Sequence, residues 1–305
     1  MASLAGLPKD WRVRGQFTRK VYTTVYPAID PTKAENSLKG KTVVVTGASR
    51  AIGAQGIAPA FVKAGVKTIV LVDTKAERLA AVEEQLKKIN SDVETFAVGA
   101  DVTSADQVNT AWNEINAKYP KVDILVNNAG VETPGIDMTQ EHDPDIFFRN
   151  FQVNVKGTHM MTQQYLKTAV SWATKADPAK IINMTNSAAW GVWTILAGYS
   201  LSKAAMIQYN TVIAASHPGT VLSIAVNPGL NDTEMDPASL REAGFRYNDP
   251  MLTGATLVWL TADPARSQFL NGRVLTAEWD VEDLVARKEE ITSKNLLTMQ
   301  LNTGS

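Results

Sequence analysis

A tyrosine and a lysine stand four positions apart in the segment Tyr199-Ser-Leu-Ser-Lys203. On a helix these two side chains lie on one face, one turn apart. An ammonium group so close favours the phenolate and is expected to lower the tyrosine pKa from its usual value of about 10. A phenol tuned in this way can protonate a carbonyl oxygen or accept the proton of an alcohol. The pair alone does not separate a proton donor from an ordinary surface pair, so the chain must also supply a hydride carrier.

A glycine-containing turn after a β-branched run indicates a dinucleotide site. Residues 42–46 predict a buried strand, and the turn from Gly47 to Gly53 leads into a segment without helix breakers until Pro59. Glycines at such a strand-to-helix turn let the backbone approach a pyrophosphate at the helix N-terminus. The next apolar run ends at Asp73, 20 residues after Gly53, the distance expected for a carboxylate that binds ribose hydroxyls.

Segments typical of strands and of helices alternate along the chain. This alternation predicts an α/β fold with a doubly wound parallel sheet of the Rossmann type, covered by helices on both faces. The expected strands are 42–46, 68–72, 93–100, 122–126, 180–185 and 221–226, and the expected helices are 75–89, 104–118, 143–174 and the one that carries Tyr199. Ligands bind at the carboxyl ends of such strands, where the polar motifs of this chain fall.

The length of 305 residues fits one large domain with an extension at each end. We place the domain at residues 38–279, the N-terminal extension at 1–37 and a C-terminal helical tail at 280–305. The N-terminal extension has mixed charge and no sustained period, so it is expected to lie across the domain surface or to be partly disordered.

The composition excludes several kinds of chemistry. With no cysteine, the chain has no disulfide, thiolate nucleophile or cysteine–metal site, and its three histidines, His142, His159 and His217, lack metal-ligand spacing. A net charge of −1 gives no global reason to bind nucleic acid or anionic lipid. No apolar run approaches the roughly 20 residues of a membrane span, and the apolar stretch in residues 1–8 is too short to be expected to act as a secretory signal. We therefore expect a cytoplasmic protein without a metal ion.

The motifs, taken in order, resemble the short-chain dehydrogenase/reductase family. They are Gly47 to Gly53, Asn127-Asn128-Ala129-Gly130, Asn154, Tyr199-x-x-x-Lys203 and Pro228-Gly229, and the resemblance spans residues 40–279. The segments Tyr26-Pro-Ala-Ile-Asp-Pro31 and 269–284 are similar to those of members from filamentous fungi.

The resemblance implies a role for each motif. Tyr199 is the general acid in reduction and the general base in oxidation, while Lys203 lowers its pKa and holds the ribose. Asn154 holds a water that links Lys203 to solvent. Asp101 accepts from the adenine amino group, and Thr233 contacts the nicotinamide carboxamide. The implied cofactor-binding positions are Gly47, Ser49, Arg50, Ile52, Gly53, Asp73, Asp101, Val102, Asn128, Ala129, Gly130, Tyr199, Lys203, Pro228, Gly229 and Thr233.

Two positions depart from the family pattern. The family places a serine thirteen residues before the tyrosine, where this chain has Asn186. Either Ser187 fills the role after a one-residue shortening of the loop, which we favour, or the Asn186 amide supports the substrate oxygen. Ala51 replaces the middle glycine of the turn, and its methyl group is expected to tighten the fit around the pyrophosphate.

Cofactor choice depends on charge. Asp73 can accept from both ribose hydroxyls of NAD and repels the 2′-phosphate of NADP, whereas Arg50 and Lys75 can attract that phosphate. We expect NAD, with NADP as the alternative.

We expect an oxidoreductase that transfers hydride between NAD(P) and a secondary alcohol or ketone of an apolar small molecule, in secondary metabolism. Segments 131–142, 188–198 and 232–252 should form the substrate pocket, with Trp190 and Trp193 on its apolar side. One alternative is an isomerase, dehydratase or cyclase that retains the cofactor, and another is a non-catalytic cofactor sensor. By analogy with the family, a homodimer or homotetramer should form through the helices at 143–174 and 199–216.

Overall fold

The computed structural model describes residues 15–133, 141–191, 196–231, 233 and 247–301. In this part of the chain seven strands form one parallel sheet in the order β3-β2-β1-β4-β5-β6-β7. The strands are β1 Thr42–Thr46, β2 Thr68–Asp73, β3 Glu94–Gly99, β4 Ile124–Asn127, β5 Ala179–Met184, β6 Val221–Asn227 and β7 Val274–Thr276. The predicted Rossmann-type α/β fold is confirmed.

Helices connect successive strands and cover both faces of the sheet. They are α1 Ala58–Lys63, α2 Ala76–Ile89, α3 Ala105–Lys118, α4 Pro144–Phe151, α5 Thr158–Ala169, α6 Ala197–Ser216, α7 Pro250–Ala262, α8 Pro264–Ser267, α9 Val281–Ala286 and α10 Lys288–Ser293. Within the described ranges, no helix is long and apolar enough to cross a bilayer.

Strand residues alternate between two apolar layers, because successive side chains point to opposite faces of a sheet. Val43 and Val45 of β1 belong to the layer packed against α1 and α7, whereas Val44 belongs to the layer that includes Trp112 of α3 and Tyr165 of α5. Strands β1, β2, β4, β5 and β6 are buried on both faces, which explains their largely apolar sequences, whereas the edge strand β3 is mostly half-buried.

The region predicted as one helix at 143–174 is divided. Helix α4 ends at Phe151, a π-helical turn spans Gln152–Gly157, and α5 ends at Ala169. A second π-helical turn, Gly53–Ile57, precedes α1. Both turns lie beside the carboxyl edge of the sheet, and an extra residue per turn re-aims the side chains that follow.

The N-terminal extension packs more deeply than expected. Tyr26 and Ile29 are buried in the same apolar layer as Val43, and Val21 forms an antiparallel bridge with Trp279. These buried side chains anchor the segment in the core, whereas most of the other described residues of the extension are half-buried or exposed. The domain boundaries stay a prediction.

Candidate active site

A cavity of about 410 Å³ lies at the carboxyl edge of the sheet. Its lining includes most of the predicted site residues: Gly47, Arg50, Ile52, Asp73, Asp101, Val102, Asn128, Ala129, Gly130, Tyr199, Lys203, Pro228, Gly229 and Thr233. Four predicted residues, Ser49, Gly53, Asn154 and Ser187, do not line it. The tips of neighbouring strands thus gather residues that are far apart in sequence.

The turn after β1 is packed too closely for side chains at two of its glycines. Gly47 has a φ of 64°, and a Cβ there would lie 2.8 Å from the Cα of Ala129. A Cβ on Gly53 would lie 2.2 Å from the Gly47 carbonyl oxygen. Ala51 also has a positive φ, 46°, which an alanine adopts only at a cost. The turn exposes backbone to the cavity, as a pyrophosphate site requires.

Asp73, at the tip of β2, is oriented by backbone donors. Its Oδ2 accepts from the Ser49 amide at 3.0 Å, and its Oδ1 accepts from the Lys75 amide at 3.0 Å. Ser49 does not line the cavity itself, and its amide instead orients Asp73, which does. Three basic side chains, those of Arg50, Lys75 and Arg78, line the cavity beside this carboxylate.

The segment after β4 is fastened to the turn after β1. The Asn128 side chain donates to the carbonyl oxygens of Thr46 and Gly47, both at 3.0 Å. Asn127 points the other way, into the sheet, and donates to Asn183 Oδ1 and Thr162 Oγ1. One asparagine thus stabilises the sheet and the next fixes the cavity wall.

The tyrosine–lysine pair stands on α6, as its spacing predicts. Tyr199 and Lys203 are both buried, and the lysine Nζ lies 5.6 Å from the centre of the tyrosine ring. Lys203 Nζ also donates to the Met184 carbonyl at 3.1 Å. Burial lowers the pKa of Lys203 to about 8, and the negative charge of Glu132 opposes that shift. The site therefore holds a desolvated ammonium beside a phenol.

Asn154 lies in the π-helical turn, behind the wall formed by Gly130 and Val131. Its Oδ1 accepts from the Val131 amide at 2.8 Å, and its Nδ2 donates to the Val131 carbonyl at 2.9 Å. A Cβ on Gly130 would lie 3.2 Å from both Asn154 Oδ1 and Lys203 Nζ. The asparagine and the lysine therefore approach the same small residue from two sides.

The structure places Asn186, and not Ser187, on the cavity. Asn186 caps a short 3-10 helix, Ser187–Trp190, and its Oδ1 accepts from the Ala188 amide at 2.9 Å. This bond occupies the side-chain oxygen, so the amide nitrogen is the group that this residue can offer as a donor. Thr185 also lines the cavity, but its hydroxyl donates to the Lys203 carbonyl.

Several lining residues were missed in the sequence, among them Arg78 and Arg149. These two belong to no motif and to no predicted pocket segment, and only the fold brings them to the cavity. Trp190 lies elsewhere, on a second cavity of about 460 Å³ shared with residues of both chain ends. Trp193 lies outside the described residues.

The residues present fit a nicotinamide dinucleotide. Glycine backbone faces the cavity after β1, a fixed carboxylate stands at the tip of β2, and a buried cation lies beside the phenol. Among the described residues there is no cluster of three or more histidines and carboxylates that could hold a metal ion.

Comparisons with known proteins agree with this fit. The model of the short chain dehydrogenase family matches residues 41–243. Short chain dehydrogenase mpl6 of Monascus purpureus is 30% identical over 287 residues, covering 92% of this chain and 95% of the relative. The structure of 3-ketoacyl-(acyl-carrier-protein) reductase from Brucella melitensis, complexed with NADH, has a TM-score of 0.69 at 26% identity and covers 79% of this chain and 97% of its own. Gluconate 5-dehydrogenase from Burkholderia cenocepacia, in complex with NADP and tartrate, shares the fold with a TM-score of 0.71 at 24% identity, covering 82% and 96%.

The doubly wound sheet, with a tyrosine–lysine pair at its carboxyl edge, defines a Rossmann-type oxidoreductase. The chain belongs to the short-chain dehydrogenase/reductase family, and the resemblance to members from filamentous fungi is confirmed.

Proposed function

We propose that this enzyme transfers hydride between a nicotinamide cofactor and a secondary alcohol or ketone, with Tyr199 as the proton donor or acceptor. The observation that carries the proposal is the burial of Tyr199 and Lys203 side by side on α6, facing a cavity whose other end fits a dinucleotide. When bound, the nicotinamide supplies or accepts the hydride.

The side chains of the protein then transfer the proton to or from the substrate oxygen. In reduction the Tyr199 hydroxyl protonates the substrate oxygen as negative charge develops there, and in oxidation the phenolate removes the alcohol proton. With a pKa of about 8, Lys203 is mostly charged at neutral pH and stabilises the phenolate. Asn154, fixed by Val131, is proposed to hold the water through which the proton returns from solvent.

The partner that orients the substrate oxygen stays open between Ser187 and Asn186. The sequence favours Ser187, whereas the position of Asn186 on the cavity supports the amide. Ala substitution at each position distinguishes them: the true partner loses on the order of 10²-fold in kcat, as oxyanion donors do.

For the cofactor we propose NAD, with NADP as the alternative. The fixed Asp73 carboxylate supports NAD, because a 2′-phosphate beside it would be repelled. Arg50, Lys75 and Arg78 on the same wall support NADP. Parallel fluorescence titrations with NADH and NADPH decide, and Asp73→Ser should shift the ratio of the two dissociation constants toward NADPH.

The proposed substrate is an apolar small molecule of secondary metabolism. The similarity to fungal short chain dehydrogenases supports this class. The lining adds Val131, Met184 and Leu230 as apolar surface, with Glu132 and Arg149 as charged groups at the same cavity. We therefore expect a largely apolar molecule that carries one or two polar substituents.

A homodimer or a homotetramer is the proposed assembly. Ile146 and Phe148 on α4, together with Leu201 and Val212 on α6, are each about half exposed. These helices are the ones through which the sequence predicts association. Sedimentation velocity measures the state, and a monomer would contradict the proposal. Location in the cytoplasm stays a prediction.

Tyr199→Phe tests the central proposal. Removing the hydroxyl should abolish turnover of any ketone or alcohol that the wild type uses, while the dissociation constant for the cofactor changes by less than about threefold. Near-full activity in this variant would refute the role of Tyr199. The alternative of an isomerase, dehydratase or cyclase predicts instead that added cofactor is neither oxidised nor reduced in proportion to product.

A further inference from the structure

The turn Pro228–Asn231 lines the cavity, and its carbonyl groups accept hydrogen bonds from the protein interior. The Pro228 carbonyl accepts from Asn231 Nδ2 at 3.0 Å, from Thr253 Oγ1 at 3.3 Å and from Asn248 Nδ2 at 3.4 Å. The Leu230 carbonyl accepts from the Asn248 amide at 2.8 Å. The position of this turn therefore depends on residues of the segment that begins α7.

Gly229 rests directly on two buried side chains. Its φ is 72°, and a Cβ there would lie 2.2 Å from Asn248 Nδ2 and 2.9 Å from Glu278 Cδ. Asn248 and Glu278 are 4% and 6% exposed, so neither side chain can move aside into solvent. Both lie outside residues 41–243, the part that the family model matches.

One short stretch of the N-terminal extension bonds to the main chain of Glu278 and to that of Asp249, which follows Asn248. The Tyr22 amide donates to the Glu278 carbonyl at 2.7 Å, and the Asp249 amide donates to the Thr23 carbonyl at 2.8 Å. This stretch therefore connects the main chain of Glu278 with that of Asp249, the residue next to Asn248.

The stretch is fixed at its two ends. Arg19 forms an ion pair with the buried Asp283, donating from its amide at 2.9 Å and from its Nε at 2.8 Å. The Tyr26 hydroxyl donates to the Trp279 carbonyl at 3.0 Å and accepts from the Val281 amide at 2.9 Å. We call residues 19–26 the N-terminal brace.

We propose that the N-terminal brace, acting through Asn248 and Glu278, positions the Gly229 turn against the nicotinamide end of the bound cofactor. The inference rests on the proposed function and on the family resemblance, which implies that Thr233, two residues after this turn, contacts the nicotinamide carboxamide. Asn248 and Glu278 are positioning residues, because they act through Gly229 and not on reacting atoms. Misplacement of about 1 Å at a reacting centre can cost on the order of 10²-fold in rate. We therefore expect the support of Gly229 by these two side chains to affect the rate of hydride transfer.

The test separates the two ends of the cofactor. Asn248→Ala removes the amide under Gly229 and leaves the Asp73 end of the cavity unchanged. We expect the dissociation constant for the reduced cofactor that the wild type prefers to rise at least fivefold. The constant for the matching fragment without nicotinamide, ADP-ribose or 2′-phospho-ADP-ribose, should stay within twofold. The emission of the bound reduced nicotinamide should also lose part of its enhancement, because the ring is held less firmly.

Three further variants control for stability and shape. Asn36→Ala, in the same extension, removes bonds to the carbonyls of Ala28 and Asp30 and should lower the melting temperature without changing either constant. Glu278→Ala should behave like Asn248→Ala, and Glu278→Gln, which keeps the shape, should restore cofactor binding.

Each outcome is decisive. A lower melting temperature of Asn248→Ala with both constants unchanged would show a purely structural role and overturn the inference. An equal rise in both constants would do the same, because it reports general disruption of the cavity. A wild type that binds neither reduced cofactor would overturn the proposed function first, and the inference with it.

Discussion

A buried lysine lies at each end of β5, and the two lysines differ in their hydrogen-bonding and ionic partners. At the amino end, Lys180 donates to Asp177 Oδ1 at 3.2 Å and to the Pro178 carbonyl at 2.9 Å. At the carboxyl end, Lys203 donates to the Met184 carbonyl, its only hydrogen-bond acceptor within the described ranges. Burial lowers the pKa of both lysines, but Asp177 partly restores that of Lys180.

The amino end is a compensated ionic cluster. Lys41 and Lys121 each pair with both Asp123 and Asp177, and Lys180 joins them through Asp177. These lysines hold the pKa of Asp177 well below its usual range, although its own partial burial acts in the opposite direction. Opposite charges at hydrogen-bonding distance offset the free-energy cost of burying charged groups there, so the cluster is expected to stabilise the amino edge of the sheet.

The carboxyl end leaves its charge available. Lys203 Nζ lies beside Gly130 and the Met184 carbonyl, and the charge of Glu132 acts on it electrostatically. A buried cation with few partners is unfavourable for folding and useful for stabilising a phenolate or a ribose hydroxyl. The comparison teaches that partners, rather than burial, separate the structural lysine from the proposed functional one.

The largest expected difference is in catalysis. Lys203→Met should lower kcat on the order of 10³-fold, because Tyr199 loses the charge that stabilises its phenolate. Lys180→Met, the matched control at the other end of β5, should keep kcat within about twofold. Steady-state rates with the ketone or alcohol used by the wild type measure both, and equal losses in the two variants would contradict the comparison.

The next effect is on stability and belongs to the amino end. Asp123 is buried, and its Oδ2 accepts from the Thr42 amide at 2.9 Å. Asp123→Ala should lower the free energy of unfolding by about 3 kcal/mol, because it leaves the buried Thr42 amide without its acceptor and removes the buried partner of Lys41 and Lys121. Urea denaturation measures the change.

Asp177→Ala is the control for Asp123→Ala. The Asp177 side chain is 38% exposed, so solvent screens its ion pairs and the expected loss is about 1 kcal/mol or less. A larger loss for Asp177 than for Asp123 would show that burial does not decide the strength of this cluster.

The third effect is the pH dependence of stability contributed by Lys203. Its pKa is about 8 in the folded protein and 10.5 in the unfolded chain, so the unfolded state binds the extra proton between these values. Stability must therefore rise with pH from about 8 to about 10.5, by about 2 to 3 kcal/mol, and the full cost of burial is present below pH 8.

Lys203→Met lacks this rise, so the variant isolates it from other titrating groups. The difference in unfolding free energy between variant and wild type should shrink as pH increases from about 7 to about 10. Urea denaturation of both proteins without cofactor provides the measurement. A difference that is constant with pH would mean that Lys203 keeps an ordinary pKa in the fold.

Much of this architecture could be predicted from local sequence. Continuous β-branched runs identify β1 and β2, because strands buried on both faces need apolar residues at every position. The i, i+4 spacing placed Tyr199 and Lys203 on one helix face, and the strand tips placed Asp73 and Asn128 on one edge.

The remainder depends on contacts that a linear pattern does not encode. Strand β7, with three residues, is too short for a period to show. The buried position of Tyr26 follows from its bonds to Trp279 and Val281, more than 250 residues away in sequence. Asn186 and Ser187 are adjacent, so only the 3-10 helix that Asn186 caps and Ser187 begins decides which one faces the cavity. The roles of these residues in catalysis stay predictions.

The smallest expected effect concerns strain, which the carboxyl edge carries at Ala51. Its φ of 46° costs an alanine roughly 1 kcal/mol, and a glycine there would lose about as much through the entropy of the unfolded chain. Ala51→Gly should therefore change the free energy of unfolding by less than about 0.5 kcal/mol. Because Ala51 lines the cavity, removing its methyl group should lower the dissociation constant for the cofactor about two- to threefold.

Ala54→Gly gives the matched substitution without strain. Ala54 is buried in the π-helical turn and does not have a positive φ, so glycine there should cost about 1 kcal/mol and leave cofactor affinity unchanged. If the two substitutions destabilise equally, the turn stores no strain at Ala51. If Ala51→Gly weakens cofactor binding instead, the methyl group contributes a contact to the pyrophosphate site, and the departure from the family's glycine is itself part of cofactor recognition.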